Sequence, residues 1–140
     1  MKTHSLQIAM VVSRPEFESD KLFEITTLQD TSGGLTRWKI LQRFLLDKDI
    51  EFHTHDQFES LREPDLLIVE DPTRAIALQL IRAMVNPRRM IIILNEPAVI
   101  RPWTWKYLKF YSRFIGRILT TDKRVIKQPN ISWLPLPNNL

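Results

Sequence analysis

The sequence predicts a doubly wound α/β domain, in which a mostly parallel β-sheet carries helices on both faces. Segments with a buried-strand pattern alternate with amphipathic segments along the chain, and polar or acidic residues follow several of the strands. The clearest strand, Met90–Leu94, has five apolar residues in a row with no polar alternation. Such a strand must be covered on both faces, as central strands of parallel sheets are. This layering is typical of one Rossmann-like domain.

The composition narrows the possible chemistry. The chain has 140 residues, which suits a single domain, and it contains no cysteine, which excludes disulfides, thiolate metal sites and cysteine nucleophiles. No segment reaches the roughly 18 to 20 uninterrupted apolar residues of a membrane-spanning helix, and the N-terminus lacks the pattern of a signal peptide. We therefore expect a cytoplasmic protein whose chemistry comes from carboxylates, imidazoles or basic groups.

The net charge of +4 is divided unevenly along the chain. Residues 1–96 contain 12 Lys/Arg and 15 Asp/Glu, whereas residues 97–140 contain 8 Lys/Arg and 1 Asp/Glu. This asymmetry indicates that the C-terminal third faces something anionic. A phosphate-bearing ligand, a nucleic acid, an acidic membrane surface and an acidic partner domain all fit, and charge alone does not choose among them.

The first strand is predicted at Ser5–Val12 and should be central, because it ends in a dense apolar run. Residues 14–34 are predicted to form a long loop at the carboxyl edge of the sheet, where loops of this length are usually functional or mobile. The loop contains Gly33 and Gly34, but the spacings of the known phosphate-binding loops are missing. We expect no nucleotide site of those types here.

An amphipathic helix is predicted from Leu35 onward, and residues 50–54 predict an edge strand because their apolar side chains alternate. His53 and His55 would share one face if this strand continued. No third ligand is evident nearby, so we expect ordinary surface or hydrogen-bonded histidines and no metal site.

Two further buried strands end on polar side chains. Asp65–Val69 is followed by Glu70 and Asp71, and Thr73 is a candidate cap for a helix over Ala75–Val85. The two carboxylates could simply favour the positive end of that helix.

The second of these strands, Met90–Leu94, ends at Asn95, Glu96 and Pro97, on the edge where open α/β sheets bind ligands. Glu96 is therefore either a solvated or capping residue or a functional carboxylate.

The C-terminal third begins with a predicted helix over residues 103–114 that has a basic and an aromatic line. The basic line consists of Lys106, Lys109 and Arg113, and the aromatic line of Trp103, Tyr107 and Phe110. The arrangement fits either a core stripe opposite a solvated stripe or a surface helix lying on anionic lipid. Strands are predicted at Ile115–Thr120 and Ile131–Leu136 after it.

The order of these motifs resembles the N-terminal half of the family-10 glycosyltransferases, which include the bacterial α-1,3/4-fucosyltransferases. The resemblance rests on Asn95–Pro97, Ile118–Asp122, Trp133–Pro137 and the helix and strand of Leu41–Asp56. It covers most of residues 35–137, although the proline follows Glu96 directly where the family often has one residue between.

The resemblance implies a half-enzyme. Members of the family have a two-domain GT-B architecture with a GDP-sugar donor site mainly in the C-terminal domain, so this chain would be the acceptor-side domain and inactive alone. Glu96 would match the general base of inverting transfer to a surface glycan or lipopolysaccharide. We further expect Asn95 and Asp71 to contact the substrate. We expect no cofactor within the chain.

The basic surface formed by Lys106, Lys109 and Arg113 would then meet the donor domain or an anionic membrane, which would place the protein peripherally at the inner membrane face. One alternative is a stand-alone receiver-like binding or regulatory module with Glu70 and Asp71 as its acidic cluster. A nucleic-acid binder is not favoured, because residues 101–127 show no recognisable motif.

Overall fold

The computed structural model describes residues 4–26, 29–30, 34–95, 102–125 and 127–134. The strands are Gln7–Val11 (β1), Glu51–Thr54 (β2), Leu66–Glu70 (β3), Met90–Leu94 (β4), Arg117–Thr120 (β5) and Ile131–Trp133 (β6), and the helices are Thr36–Leu46 (α1), Arg74–Arg82 (α2) and Pro102–Tyr111 (α3). Within the described residues no helix has the length and apolar character needed to cross a bilayer.

The six strands form one sheet in the order β2-β1-β3-β4-β5-β6. Their pairing is parallel, as in β1 with β2 and in β4 with β5 and β5 with β6. The predicted Rossmann-like α/β class is confirmed, with β1, β3 and β4 in the interior and β2 at an edge. The first five strands follow the flavodoxin-like order, and β6 extends the sheet at the far edge.

The chain divides into two compact units, Met1–Leu67 and Ile68–Leu140. In the first unit, β1 buries consecutive side chains from Ile8 to Val11, so both of its faces are covered. The edge strand β2 buries alternate residues, as its sequence predicts. Trp38 of α1 is only 4% exposed, because the apolar side of this helix packs on β2.

The start of α1 is fixed by a carboxylate that lies outside the helix. Asp30 is 6% exposed, and its Oδ2 accepts hydrogen bonds from the backbone N–H groups of Leu35 (2.8 Å) and Thr36 (2.9 Å). These N–H groups have no partner within the helix, and a negative charge is favoured at this end. Asp30 therefore does the work of a capping residue.

In the second unit, Met90, Ile92 and Leu94 of β4 are nearly inaccessible on one face of the strand. On the other face Ile93 is buried and Ile91, near the start of the strand, is partly buried, so both faces are covered. Thr73 caps α2 as predicted, and its Oγ1 accepts a hydrogen bond from the N–H of Ile76 at 3.3 Å. The helix ends at Arg82 rather than at the predicted Val85. It ends earlier because Met84 adopts a left-handed conformation with φ of 53°.

The entry to β5 approaches the preceding turn very closely. A Cβ atom at Gly116 would lie 2.3 Å from the carbonyl oxygen of Arg88, and the N–H of Gly116 donates to the carbonyl of Pro87 at 3.0 Å. Only glycine allows two backbones to meet at this distance.

Candidate functional site

Polar residues gather in the second unit where β3, β4 and β5 end. Because neighbouring parallel strands present their carboxyl ends at the same edge, Glu70, Asp71, Asn95 and Thr121 come together there. We call these four residues the carboxylate–amide cluster. It contains Asn95 and Asp71, the two residues that the sequence predicts as substrate contacts.

Asp71 extends the sheet beyond the end of β3. Its N–H donates to the carbonyl of Ile93 at 2.8 Å, and its Oδ1 accepts a hydrogen bond from the N–H of Asn95 at 3.0 Å. The residue has φ of 39°, a left-handed conformation that aspartate tolerates better than most residues. This backbone turn brings the carboxylate over the end of β4.

Asn95 is held through its side chain and through both of its backbone groups. Its Nδ2 donates to Glu70 Oε1 and, at 3.2 Å, to Asp71 Oδ2. Its carbonyl accepts a hydrogen bond from Thr121 Oγ1 at 2.9 Å. The chain is therefore fixed at the residue that directly precedes Glu96.

The end of β5 is ordered by a second carboxylate. Asp122 binds Arg124 in a two-point ion pair, at 2.9 Å to Nε and 2.7 Å to Nη2. The hydrogen bond to the Arg124 guanidinium, helped by one from the Arg124 backbone N–H, lowers the pKa of Asp122 to about 2. With so low a pKa, Asp122 is too weak a base to take a proton at neutral pH, so it is not a candidate for the catalytic base.

The cluster presents oxygen acceptors and a side-chain amide on one rim. Carboxylate oxygens can accept hydrogen bonds from the hydroxyl groups of a sugar, because each oxygen has two lone pairs, whereas both amide hydrogens of Asn95 are already donated to Glu70 and Asp71. Among the residues that the structure describes, no group of three or more His, Asp or Glu side chains could hold a metal ion.

The remaining predicted residues lie elsewhere. Glu96 is outside the described residues. Lys106 and Lys109 are exposed on α3, whereas Arg113 is exposed in the 3-10 turn Ser112–Phe114 that follows it. The side chains of the predicted aromatic line, Trp103, Tyr107 and Phe110, also lie outside the described part of the chain.

His53 and His55 of the first unit are hydrogen-bonded, as expected. His53 Nδ1 lies 2.7 Å from Asp20 Oδ2, and His55 Nδ1 accepts a hydrogen bond from the N–H of Val12 at 3.2 Å. The other carboxylate oxygen of Asp20 accepts hydrogen bonds from the N–H (2.7 Å) and hydroxyl (3.1 Å) of Thr54. Asp20 thus ties the long loop to the edge strand, a role that its sequence position does not reveal.

The first unit also has a groove of about 660 Å³ between the long loop and the start of α1. Arg14 on its wall pairs with Glu16 and lies over the ring of Phe17 at 5.0 Å. Lys21 and Glu24 add one charge of each sign to the lining. The buried carboxylate of Asp30 also lines the groove, so the described part of the lining has three carboxylates and two cations. This mixture suits a neutral polar ligand such as a sugar better than an anion.

No protein-family model, no curated protein and no solved structure matches the chain. Its function is therefore inferred from the chemistry of the described residues.

Proposed function

We propose that this chain is the acceptor-side domain of an inverting glycosyltransferase. In the proposed reaction, a hydroxyl oxygen of a surface glycan or lipopolysaccharide attacks the anomeric carbon of a GDP-sugar. The bond from that carbon to the nucleotide diphosphate breaks, GDP leaves, and the configuration inverts. The donor would be held by a separate domain, and Glu96 would take the proton of the attacking hydroxyl.

One observation carries the proposal. Asn95 is fixed at its N–H by Asp71 and at its carbonyl by Thr121, on the sheet edge where α/β proteins bind ligands. A catalytic base must be presented within hydrogen-bond reach of the proton that it removes. A chain fixed at the preceding residue is a suitable support for such a base at position 96.

The substrate class follows from the chemistry of the same residues. Glu70 and Asp71 offer carboxylate oxygens that can accept hydrogen bonds from hydroxyl groups, and the amide of Asn95 holds these two carboxylates side by side. These features support a polyhydroxylated acceptor rather than a nucleotide, whose phosphates would meet two carboxylates.

The proposal is tested by titrating the isotope-labelled chain with oligosaccharides from bacterial surface polysaccharides. We expect amide resonances of Asp71 and Asn95 to shift with an acceptor glycan, whereas a GDP-sugar alone leaves them in place. Asn95→Ala should weaken glycan binding about tenfold or more, because the cluster loses its amide and its fixed geometry.

Asn86→Ala is the matched control, since Asn86 is an exposed asparagine of the same unit whose side chain caps a 3-10 turn. If only the amide resonances of residues in the groove of the first unit shifted, the acceptor site would instead lie at Phe17 and its neighbours. Failure of every glycan to bind at millimolar concentration would contradict the proposal.

A second candidate is a receiver-like regulatory module, which the flavodoxin-like strand order favours. In that case Asp71, after β3, would accept a phosphoryl group. Lys123, after β5, would be the lysine that a receiver needs beside it. Lys123 instead lies over the ring of Trp133, with Nζ 3.9 Å from its centroid. Incubation with acetyl phosphate and Mg²⁺ distinguishes the two functions, because only a receiver would gain the mass of a phosphoryl group at Asp71.

A further inference from the structure

Four basic side chains of the second unit are exposed on and beside α3. They are Lys106, Lys109, Arg113 and Lys127, and we call them the basic rim. No acidic side chain within the described ranges forms an ion pair with any of them. Unlike Arg124, whose charge is offset by Asp122, these residues leave their charge available to an outside ligand.

Two neighbouring cavities bring three residues of the basic rim together in space. One cavity of about 370 Å³ has Lys109 and Lys127 in its lining, and a second of about 380 Å³ has Arg113. Gln128 lines both cavities, so the three cations surround one side chain although they are up to 18 positions apart in sequence. Among the described residues that line the two cavities, none has a carboxylate.

The cavity of about 370 Å³, which Lys109 and Lys127 line, has an apolar floor. Leu108 and Ile118 lie in it and are each only 2% exposed, and Ile131 lies beside them. A ligand that fits here has a negative group that meets the lysines and an apolar part that meets the floor. A phospholipid has both parts in one molecule.

Exposed aromatic side chains accompany the basic rim. Phe114 is 56% exposed and Tyr111 is 41% exposed, and both are within three positions of Arg113. Aromatic and basic side chains exposed together are typical of protein surfaces that lie in the headgroup region of a bilayer.

We infer that the basic rim, with Phe114 and Tyr111, is a docking surface for an anionic lipid bilayer. The inference does not depend on the proposed glycosyl transfer. The charge of the rim complements acidic headgroups. The exposed rings could also stack on nucleic-acid bases, but the apolar cavity floor favours a bilayer, because a nucleic acid has no aliphatic part that would fill it. Binding strengthens with the fraction of acidic lipid and weakens with salt, because the attraction is screened.

The test is cosedimentation of the chain with vesicles of two compositions. One is phosphatidylcholine alone, and the other contains about 30% phosphatidylglycerol. We expect binding only to the acidic vesicles. The triple variant Lys109→Gln, Arg113→Gln and Lys127→Gln should lower the partition coefficient by on the order of 100-fold, since each basic residue near an acidic surface contributes about fivefold. Phe114→Ser should lower it about fivefold, because a half-exposed ring would no longer enter the interface.

The control is the triple variant Arg74→Gln, Arg82→Gln and Arg88→Gln, which removes the same charge from exposed positions outside the basic rim. It should keep most of the binding. Equal loss in both triple variants would show a general charge effect and overturn the inference, as would equal binding to neutral vesicles. Tighter binding to a single-stranded RNA oligonucleotide than to acidic vesicles would also overturn it. Thermal unfolding of each variant verifies that the fold is intact.

Discussion

Asp71 has two roles in the cluster, and a replacement residue must meet both of them. Its carboxylate satisfies the N–H and the side chain of Asn95, and its backbone occupies a left-handed conformation at φ 39°. Asparagine shares both abilities in part, whereas alanine shares neither.

We therefore expect Asp71→Ala to lower the free energy of unfolding by about 2 to 4 kcal/mol, from lost charged hydrogen bonds and added backbone strain. Asp71→Asn keeps one acceptor oxygen and should lower it by only about 1 kcal/mol. Urea unfolding followed by circular dichroism measures both. Equal values for the two variants would mean that Asp71 does not hold Asn95.

The ion pair between Asp122 and Arg124 should make the stability of the fold depend on pH. The ion pair lowers the pKa of Asp122 to about 2, below its value in an unfolded chain, so the ionised form favours the folded state. This stabilisation is present above about pH 4 and disappears as the pH falls toward 2. In Arg124→Gln the pKa of Asp122 should rise toward its ordinary value of about 3.9. Carboxyl-detected NMR titration measures the shift, and an unchanged pKa would show that Arg124 is not the cause.

Single residues are also where the sequence says least. Asp30 was not recognisable as a cap, because it precedes the helix by six residues and capping side chains normally lie directly at its start. The link from Asp20 to Thr54 spans 34 positions and depends on the path of the loop. In contrast, Thr73 was predicted as a cap because its signal is local.

At the scale of elements, the strands were predicted well and the ends of helices less well. Runs of buried residues such as Met90–Leu94 identify a central strand because both of its faces must be apolar. The end of α2 could not be predicted, since no glycine or asparagine marks it. The N–H of Val85 bonds to the carbonyl of Leu80 at 3.3 Å, which closes the helix around a left-handed Met84.

Met84 is consequently a position where glycine should stabilise the protein. Its side chain is 75% exposed and contributes little packing, whereas its φ of 53° is unfavourable for any residue with a Cβ. We expect Met84→Gly to be more stable than Met84→Ala by about 1 kcal/mol, because only glycine removes the strain. Chemical denaturation of the two variants gives the difference. An alanine variant as stable as the glycine variant would show that α2 ends differently in solution.

At position 116 we expect the reverse, because replacing the glycine there should destabilise the protein. Because an added Cβ would lie 2.3 Å from the carbonyl oxygen of Arg88, Gly116→Ala must shift the start of β5. We expect a loss of about 1 to 3 kcal/mol in unfolding free energy, typical of overpacking. Arg89→Ala, at an exposed position in the facing turn, is the control and should stay within about 0.5 kcal/mol of the wild type. A stable Gly116→Ala variant would contradict the close approach.

At the scale of the whole molecule, the sequence predicted the α/β class and which strands lie inside the sheet. It could not give the strand order, because the apolar patterns of β1, β3 and β4 are alike and do not specify neighbours. It did predict that Asp71 and Asn95 belong to one edge, since both follow buried parallel strands. Glu70 was predicted only as a carboxylate that favours the end of a helix or belongs to a receiver-like cluster. Thr121 appeared only within the motif Ile118–Asp122, because a hydroxyl after a strand carries no distinctive signal.

The charge division likewise has a meaning only in three dimensions. Counting residues identifies a basic C-terminal third, but Lys123 lies on Trp133 and Arg124 pairs with Asp122. Of the other described cations, Lys109, Arg113 and Lys127 line adjoining cavities, Lys106 is exposed on α3 and Arg117 donates to the hydroxyl of Ser132. The sequence therefore predicted the sign of the surface charge. Which of the charged side chains can contact a partner depends on the folded structure.

The most direct test of the proposed transferase is the rate of sugar transfer by a Glu96→Gln variant, measured together with the separate donor-binding domain that the proposal requires. Glutamine keeps the size and hydrogen-bonding shape of the side chain but cannot take a proton. We predict that kcat falls by about 100-fold or more while binding of the GDP-sugar is nearly unchanged, because a positioned base acts in the transition state. A Glu96→Gln variant that transfers sugar at the wild-type rate would contradict the account.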